Sequence, residues 1–442
     1  MAALTELAAL AAAGQIELAA EQPAVNMHCH TFFSFNAYGY SPAGLAWLAQ
    51  KRGWQAAGIV DFDVLDAVEE FLDACEIAGV RGSAGIETRV FIPQFAAREI
   101  NSPGEPGVYY HMGIGFTSGQ AVGAAAATLA AMRARAERRN RDMLARLNAH
   151  LGPSTSSGRA VVVDYERDVL PLTPAGNATE RHMLVAIIRK AAEAMNDGPE
   201  AAPAHALLAF WAEKLSTPEA QVAASIGDYA KFSNLVRGKL MKKGGVGYVV
   251  PTPESFPTVE EYHSFIVACG ALPTATWLDG TSAGEEAIDE LMGLMIAKGA
   301  VALNIIPDRN WNIPDPATRA LKVRKLHEIV EIAAKLDLPI NVGTEMNAPG
   351  NKLVDDFDVP EMAPVRQAFL DGAAFITGHT VMQRGRGLGY QSDWAQAHLP
   401  TRKARNAFYQ AVGYRVPPGR AGMAKLCGLD SSQTPADMLK AM

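Results

Sequence analysis

Residues 26–31 read NMHCHT, which places two histidines two positions apart at the end of an apolar run. Alternate side chains of a strand share a face, so His28 and His30 point the same way, about 7 Å apart along the strand. Two imidazoles in this arrangement can bind one divalent cation. Cys29, between them, points to the opposite face. The stretch predicts a strand that ends in two metal ligands, and an ordinary polar strand end is the alternative for this motif alone.

Short apolar runs bounded by turn residues alternate with helical patterns along most of the chain. The candidate strands are 25–28, 57–60, 85–91, 108–115, 247–250, 272–277, 301–306, 339–343 and 374–377. Helical patterns lie between them, for example at 64–78, 260–269, 285–297 and 318–336. This alternation predicts an α/β fold with a parallel sheet. We favour a barrel, because the residues suited to chemistry follow strand ends.

Composition narrows the class of protein. The chain has 442 residues, of which 49% are hydrophobic and 20% charged, and its net charge is −7. An apolar, acidic chain of this length is folded and does not favour nucleic acid as a partner. Four cysteines without a CxxC pair argue against a disulfide framework. No uncharged apolar run reaches the roughly 18 residues of a membrane span, and the N-terminal stretch lacks a basic leader, so we expect a cytoplasmic protein without a membrane partner.

Further polar residues end or interrupt the next strands. Asp61 and Asp63 end the second run in GIVDFD, Glu87 lies within AGIETRV, and His111 lies within VYYHMGIGF. A buried glutamate is costly unless it is paired or bound to metal, and Arg89 is an alternative partner for Glu87. For His111 alone, the alternative is a hydrogen-bonded core histidine.

With HxH, DxD, GxE and a histidine on successive strands, the chain resembles the polymerase and histidinol phosphatase (PHP) family. The resemblance runs from about residue 23 to 360. It implies a distorted seven-stranded α/β barrel that binds two or three metal ions and hydrolyses phosphate esters. The family's Arg-x-x-x-Arg helix and the helix-starting motif after it resemble ARAERRNRDMLARLN and TERHMLVAI here. This resemblance nominates His182 as a metal ligand and Arg181 as a phosphate-binding residue.

The chain departs from the family pattern at three places. Glu345 and Asn347 stand where the last-strand motif has Asp and His, Phe62 follows Asp61 in place of a histidine, and the histidine expected shortly after HxH is missing. In three-metal members those three histidines are associated with one ion, so the resemblance implies two divalent transition-metal ions here (Zn, Mn or Fe). It assigns one ion to His28, His30, Glu87 and Glu345, and the other to Glu87, His111 and His182.

Other residues receive expected roles in the same site. Asp61 is expected to act in catalysis by orienting a ligand histidine. Arg309 at a strand end and Arg89 join Arg181 as candidates for binding phosphate. His379, in AAFITGHT, ends a strand-like run and is a candidate for protonating a leaving group or replacing a missing ligand.

We expect a helix at 1–22, a barrel at 23–117 and 246–384, a helical insertion at 118–245 that carries one ligand, and a helical extension at 385–442. The predicted function is metal-dependent hydrolysis of a phosphorylated small molecule by a water that two ions activate. Two alternatives stay open. One is hydrolysis of a C–N or C–O bond on the same barrel, and the other is a non-catalytic module that binds a protein partner. No motif encodes the substrate or the oligomeric state.

Overall fold

The computed structural model describes residues 1–152, 154, 158–195 and 205–442. Its centre is one sheet of seven strands that pair in chain order. The strands are β1 (Gln22–Cys29), β2 (Trp54–Phe62), β3 (Arg81–Phe91), β4 (Val108–Phe116), β5 (Leu272–Trp277), β6 (Ala302–Ile305) and β7 (Ile340–Val342). Neighbouring strands are parallel, except that β4 runs antiparallel to both β3 and β5.

The sheet closes on itself where the parallel strands end, a region that we call the mouth. Glu345, just beyond β7, forms a parallel bridge with Cys29 of β1. The His30 N–H donates to the Glu345 carbonyl (2.7 Å), and the Glu345 N–H donates to the His28 carbonyl (2.8 Å). A Cβ at Gly343 would lie 2.5 Å from the His28 nitrogen, so this close approach requires glycine. The predicted distorted seven-stranded α/β barrel is confirmed.

Two of the predicted strands are wrong. Residues 247–250 form a turn and irregular chain, and residues 374–377 lie inside a helix. A short apolar run has the same pattern in a buried strand and in a buried helix, so periodicity alone could not separate them. The second case matters for the site, because the strand prediction had placed His379 at a barrel mouth.

Helices surround the barrel and extend the chain beyond it. In the first half they are α1 (Ala2–Ala12), α2 (Pro42–Arg52), α3 (Val68–Ala78), α4 (Gly123–Leu151), α5 (Glu180–Ala194), α6 (His205–Lys214), α7 (Glu219–Ile226), α8 (Tyr229–Leu240) and α9 (Val259–Ala268). The later ones are α10 (Ala283–Glu286), α11 (Ile288–Ala297), α12 (Asp308–Trp311), α13 (Pro316–Lys335), α14 (Arg366–Arg386), α15 (Asp393–His398), α16 (Arg402–Arg415), α17 (Arg420–Leu426) and α18 (Pro435–Ala441). None of the helices within the described ranges is long and apolar enough to cross a membrane.

Helix α14 covers the end of the barrel opposite the mouth. Thr380 donates to the hydroxyl of Ser83 near the start of β3 (3.2 Å), and the ring of His379 reaches the Gly115 carbonyl near the end of the antiparallel β4. Both contacts lie at the end where the parallel strands begin. Helix α14 therefore forms the floor of the barrel, which explains why its side chains are buried along most of its length.

The apolar side chains form two clusters. The larger one fills the barrel and the layer between the barrel and its helices. The smaller one runs from Met143 to Met241 and joins the end of α4 to helices α5, α6, α7 and α8. Helix α4 contributes Ala125 and Met132 to the first cluster and its last turns to the second. Residues 153, 155–157 and 196–204 of the expected insertion lie outside the described residues.

Candidate metal centre

Three buried side chains meet just inside the mouth of the barrel. His28 near the end of β1, His30 just after it and Glu87 on β3 are each at most 5% exposed. The Glu87 Oε2 atom lies 3.5 Å from the Nε2 of His28 and 3.3 Å from the Nε2 of His30. One ligand atom from each residue lies within 4.8 Å of the others. The structure thus brings together the three residues with the strongest ligand prediction.

The His28 ring is held by a buried amide. Its Nδ1 lies 3.1 Å from Oδ1 of Asn304 on β6, and that oxygen also accepts a hydrogen bond from the Asn341 side chain (2.9 Å). Because the amide oxygen is the acceptor, Nδ1 of His28 carries the proton. The lone pair of the neutral ring is then on Nε2, which faces Glu87.

The His30 ring is held through a serine. Its Nδ1 lies 3.0 Å from the Ser34 hydroxyl, which donates to the Asp61 carboxylate (2.6 Å). Asp61 also accepts from the N–H and the hydroxyl of Thr31, each at 2.7 Å. The serine proton goes to Asp61, so the serine oxygen accepts from Nδ1 and the Nε2 lone pair of His30 faces the cluster. Asp61 therefore acts on His30 through Ser34.

The donor set of this cluster fits a divalent transition metal. Two buried Nε2 lone pairs and a carboxylate face one another, and neither Nε2 has a hydrogen-bond partner among the described residues. Without an ion, burial disfavours both charged groups, yet the contact with Glu87 raises the pKa of His28, and the two histidines lower that of Glu87 to about 2. A bound cation would satisfy all three groups. Two imidazoles with one carboxylate suit Zn²⁺, Mn²⁺ or Fe²⁺.

Glu345 lies at the same mouth but bonds to another partner. Its Oε2 accepts a hydrogen bond from Nη2 of Arg309 on α12 (2.6 Å). Its negative charge also favours the protonated form of His28, so the carboxylate is close to the cluster. The structure therefore places Glu345 beside the cluster and in an ion pair with Arg309, and both residues had been predicted for this site.

His182 lies at the mouth with its ring oriented by a helix cap. The Thr179 N–H donates to Nδ1 of His182 (3.1 Å), so in the neutral ring the proton sits on Nε2. Burial lowers the pKa of His182 to about 4, which keeps the ring neutral. The ring meets the edge of Phe35 at 5.2 Å. In this arrangement Nε2 of His182 carries an N–H donor, where the sequence had predicted a lone pair for metal.

His111 is not brought to the cluster. It pairs with Thr88 across the β3–β4 ladder, whereas Glu87 pairs with Met112, so His111 lies on the outer face of the sheet. There its Nε2 contacts Nε2 of His263 on α9 at 2.5 Å. Burial and the neighbouring imidazole lower the pKa of His111 well below its usual value. Helix α9 on the outer face supplies His263 as the partner of His111, and the pattern of the strand alone could not reveal this contact.

His379 is also separated from the mouth. It lies on the barrel floor, where its Nδ1 accepts from the Tyr390 N–H (3.0 Å) and its Nε2 donates to the Gly115 carbonyl (3.2 Å). Burial lowers its pKa to about 4. With both ring nitrogens bonded at the far end of the barrel, this histidine has no geometry for protonating a substrate at the cluster.

The predicted cationic residues line the rim. Arg89 follows Glu87 by two positions on the same face of β3 and donates to Glu105 (3.0 Å). Arg181 donates to the amide oxygen of Asn234 (3.3 Å), and burial together with the nearby Arg237 lowers its pKa to about 10. The charges of Arg181 and Glu345 interact, which places Arg181 near the closing strand.

Strained backbone is concentrated in the loops of the mouth. Among the described residues other than glycine, four of the six with positive φ follow β1, β2 and β7, namely Phe35 (110°), Asp63 (57°), Glu345 (66°) and Met346 (58°). The other two, Ser216 and Asp337, lie away from the mouth. Such conformations cost about 1–3 kcal/mol each and persist where the surrounding structure enforces them. Their position indicates that these loops are shaped for a task other than stability.

Sequence reasoning missed two residues that orient the histidines. Ser34 follows His30 by four positions, and the buried polar residue Asn304 interrupts an apolar strand. The signal for Asn304 was present, because a polar side chain in a buried strand requires a partner. Ser34 lies in an aromatic loop, TFFSFN, whose path is set by tertiary contacts and gave no such signal.

Comparisons with known proteins were made by sequence and by structure. No family model and no curated protein matches the chain. An amidohydrolase from Chromobacterium violaceum, solved with bound sulfate and no metal, is similar with a TM-score of 0.48 and 17% identity, over 79% of this chain and 96% of that one. A structure from Bifidobacterium adolescentis, described as a candidate metal-dependent phosphoesterase, is similar with a TM-score of 0.45 and 21% identity, over 79% of this chain and 97% of that one. Both TM-scores lie below 0.5, so neither structure indicates an activity for this chain.

Proposed function

We propose that this chain is a metal-dependent hydrolase that cleaves phosphate esters of small molecules. The observation that carries the proposal is the buried convergence of two Nε2 lone pairs on the Glu87 carboxylate at the mouth of the barrel. A divalent cation bound there would lower the pKa of a coordinated water and neutralise charge on a phosphoryl oxygen. Barrel enzymes carry their reactive groups at this end.

The chain supplies donors for an anionic group around the cluster. Arg181 and Arg309 lie on the rim, and the neutral ring of His182 carries its proton on Nε2 and is a further donor at the mouth. Arg309 is held by Glu345, so a substrate anion and Glu345 compete for its guanidinium. Guanidinium and N–H donors bind a phosphate dianion more strongly than they bind a neutral ester or amide group. The donors at the mouth therefore support a phosphate substrate over an amide.

Aromatic rings enclose the cluster on one side. Phe62 stacks on the His30 ring with 4.4 Å between ring centroids, and Phe35 covers the edge of His182. The amide of Asn177 donates to the Phe62 carbonyl (2.8 Å), which fastens the segment before α5 to the barrel. This arrangement excludes water from one side of the cluster and strengthens electrostatic interactions with a substrate.

The number of ions is part of the proposal. We propose one cation at His28, His30 and Glu87, because this is the one group of three or more potential ligands found within the described residues. The second ion that the family resemblance implied would need His111, which bonds to His263, and His182, whose capping contact holds the lone pair on Nδ1. A second ion therefore requires a rearrangement of the mouth.

Metal content and turnover of the Glu87→Gln variant test the proposal. We expect about one transition-metal ion per purified wild-type chain and cation-dependent hydrolysis of p-nitrophenyl phosphate. Glu87→Gln keeps the side-chain volume but removes the charge that binds the cation, so metal content and turnover should fall to background. Glu137→Gln, which alters an exposed ion pair with Arg141, should behave as wild type.

Each other outcome favours a different interpretation. Metal binding with turnover of amides or lactones, and none of phosphate esters, would favour hydrolysis of a C–N or C–O bond. Absence of bound metal after reconstitution with Zn²⁺, Mn²⁺ and Fe²⁺ would contradict the proposal and favour a non-catalytic module. Two ions per chain, both lost in Glu87→Gln, would support the function and overturn the single-ion assignment.

A further inference from the structure

Tyr110 occupies the position that the sequence pattern had given to His111. In the β3–β4 ladder Tyr110 pairs with Arg89, and Met112 pairs with Glu87. Directly paired residues share a face, so Tyr110 lies on the face of Glu87, one rung of about 7 Å nearer the rim. The neighbouring Tyr109 and His111 point outward, because side chains alternate along the strand.

Contacts with Phe62 and Arg89 place the Tyr110 ring one aromatic ring away from His30 of the candidate metal centre. Its ring centroid lies 6.4 Å from that of Phe62, the residue that stacks on His30. The Arg89 guanidinium lies 5.8 Å from the same ring. Burial raises the pKa of the Tyr110 phenol and outweighs the opposite effect of Arg89, and the charge of Glu87 acts in the same direction as burial. The phenol is therefore protonated at neutral pH.

The Tyr110 hydroxyl differs from those of the neighbouring tyrosines. Tyr109 donates to the Thr276 carbonyl (2.6 Å), and Tyr262 donates to the Ile86 carbonyl (2.8 Å). In the part of the chain that the structure describes, no hydrogen bond is made by the Tyr110 hydroxyl. It is thus a protonated donor at the mouth without a structural partner.

Other groups at the mouth are less suited to donating a proton to a leaving group. The His28 and His30 lone pairs face the cluster. Arg89 and Arg309 are held in ion pairs with Glu105 and Glu345, and Arg181 donates to Asn234. The His182 ring is neutral, since its pKa is about 4, and a neutral imidazole is a very weak acid. The ammonium group of Lys242 is held in an ion pair with Glu180 (3.1 Å).

We propose that Tyr110 is a catalytic residue that protonates the leaving-group oxygen of the substrate. This inference rests on the phosphoesterase function proposed above. Water attacks phosphorus and loses one proton to solvent, the bond between phosphorus and the ester oxygen breaks, and the phenolic proton moves to that oxygen. The phenolate then takes a proton from solvent, so the products are an alcohol and inorganic phosphate. The substrates that need this proton are alkyl phosphates, whose alkoxides are poor leaving groups.

The test compares two esters in the metal-loaded wild type, Tyr110→Phe and the control Tyr109→Phe. Glycerol 2-phosphate needs a proton on its leaving oxygen, whereas p-nitrophenyl phosphate does not. For Tyr110→Phe we expect kcat to fall by about 100-fold on glycerol 2-phosphate and by less than about threefold on p-nitrophenyl phosphate. Tyr109→Phe should leave the ratio of the two rates unchanged, because its hydroxyl bonds within the outer layer.

The outcomes separate this inference from the proposed function. Equal losses on the two esters in Tyr110→Phe, or no loss on either, would overturn the proton-donor role and leave the hydrolase intact. No turnover of either ester by metal-loaded wild type would overturn the phosphoesterase function and the role of Tyr110 with it. Circular dichroism and metal content confirm that each variant is folded and loaded. Because the Tyr110 hydroxyl makes no hydrogen bond within the described part of the chain, the Phe variant should retain the native packing.

Discussion

At the scale of single residues, the two histidines of the metal centre are oriented in different ways. Asn304 reaches His28 from β6 and is itself fixed by another amide, so the His28 ring depends on the packing of distant strands. His30 is held by the hydroxyl of Ser34, which is close to it in the chain, and Ser34 is held by the carboxylate of Asp61 on the next strand. The His30 side of the centre is therefore the one that a single substitution can loosen without disturbing the barrel.

Removing the Ser34 hydroxyl should weaken metal binding. Ser34→Ala deprives Nδ1 of His30 of its acceptor and leaves one hydrogen bond fewer on the buried Asp61 carboxylate. Loss of such an orienting contact typically costs about 10–100-fold in metal affinity. A chelator-competition titration with Zn²⁺ measures this change. Ser118→Ala, which removes an exposed hydroxyl bonded to Glu69, is the matched control, and equal affinities in the two variants would contradict the expectation.

At the scale of elements, the floor helix α14 depends on glycines where it crosses α16. A Cβ at Gly378 would lie 1.9 Å from the Tyr409 carbonyl oxygen, and one at Gly413 would lie 1.8 Å from the Ala374 carbonyl oxygen. These are backbone atoms that cannot move aside without separating the helices. Because α14 also bonds to the starts of the strands, the crossing sets how the floor is seated on the barrel.

Gly378→Ala should destabilise the protein, although alanine is the better helix former. Overpacking against a backbone atom costs about 1–3 kcal/mol or more in the free energy of unfolding. Gly293→Ala on α11 is the control, since a Cβ there meets nothing within 4 Å and alanine should add up to about 1 kcal/mol of stability. Urea denaturation measures both changes, and destabilisation of the two variants to the same extent would show that the crossing is not the cause.

At the scale of the whole molecule, the segment between β4 and β5 shapes the mouth. Helix α4 connects the apolar core of the barrel with the smaller core of α5 to α8. The chain before α5 then returns to the barrel, where Asn177 bonds to the Phe62 carbonyl and His182 meets Phe35. The residues that line the mouth therefore come partly from the segment that carries the second core, so this segment can change the mouth while the barrel stays the same.

Each buried neutral histidine should contribute a part of the stability that mild acid removes. Burial lowers the pKa values of His111, His263 and His379, so below about pH 6.5 the unfolded chain takes up protons that the folded chain does not. Their contribution to stability is present at neutral pH and is lost as the pH falls from 7 to 5. His28 acts in the opposite direction, because its pKa is raised. Burial also raises the pKa of Glu285 to about 7 and that of Asp355 to about 6, and these carboxyls act in the same direction as His28. The contribution of one histidine is therefore measured by comparing a variant with the wild type.

Urea unfolding at pH 7 and pH 5, with metal removed by chelation, measures this pH dependence. His379→Gln, whose amide can still donate to the Gly115 carbonyl, lacks the buried imidazole that resists protonation. Its free energy of unfolding relative to the wild type should therefore be more favourable at pH 5 than at pH 7. The same pH dependence in the wild type and in the variant would contradict the expectation.

The sequence by itself determined the barrel and the three residues at the core of the candidate metal centre. Strands and helices alternate with clear periods, and the alternation of side chains along β1 is enough to put His28 and His30 on one face. Glu87 could be predicted because a carboxylate inside an apolar strand requires a partner, and strand ends converge at the mouth. These features depend on the local periodicity of the side chains, which can be read from a short segment of sequence.

Only the tertiary structure decided which neighbouring residues belong to the site. On β4 the register against β3 turns Tyr110 inward and gives His111 to His263, a residue of α9 that lies 152 positions later. The run that ends at His379 became a helix because its apolar residues are buried on all sides beneath the barrel, where a strand and a helix have the same composition. Such outcomes depend on contacts between distant segments, and a short window of sequence contains only one of the two partners.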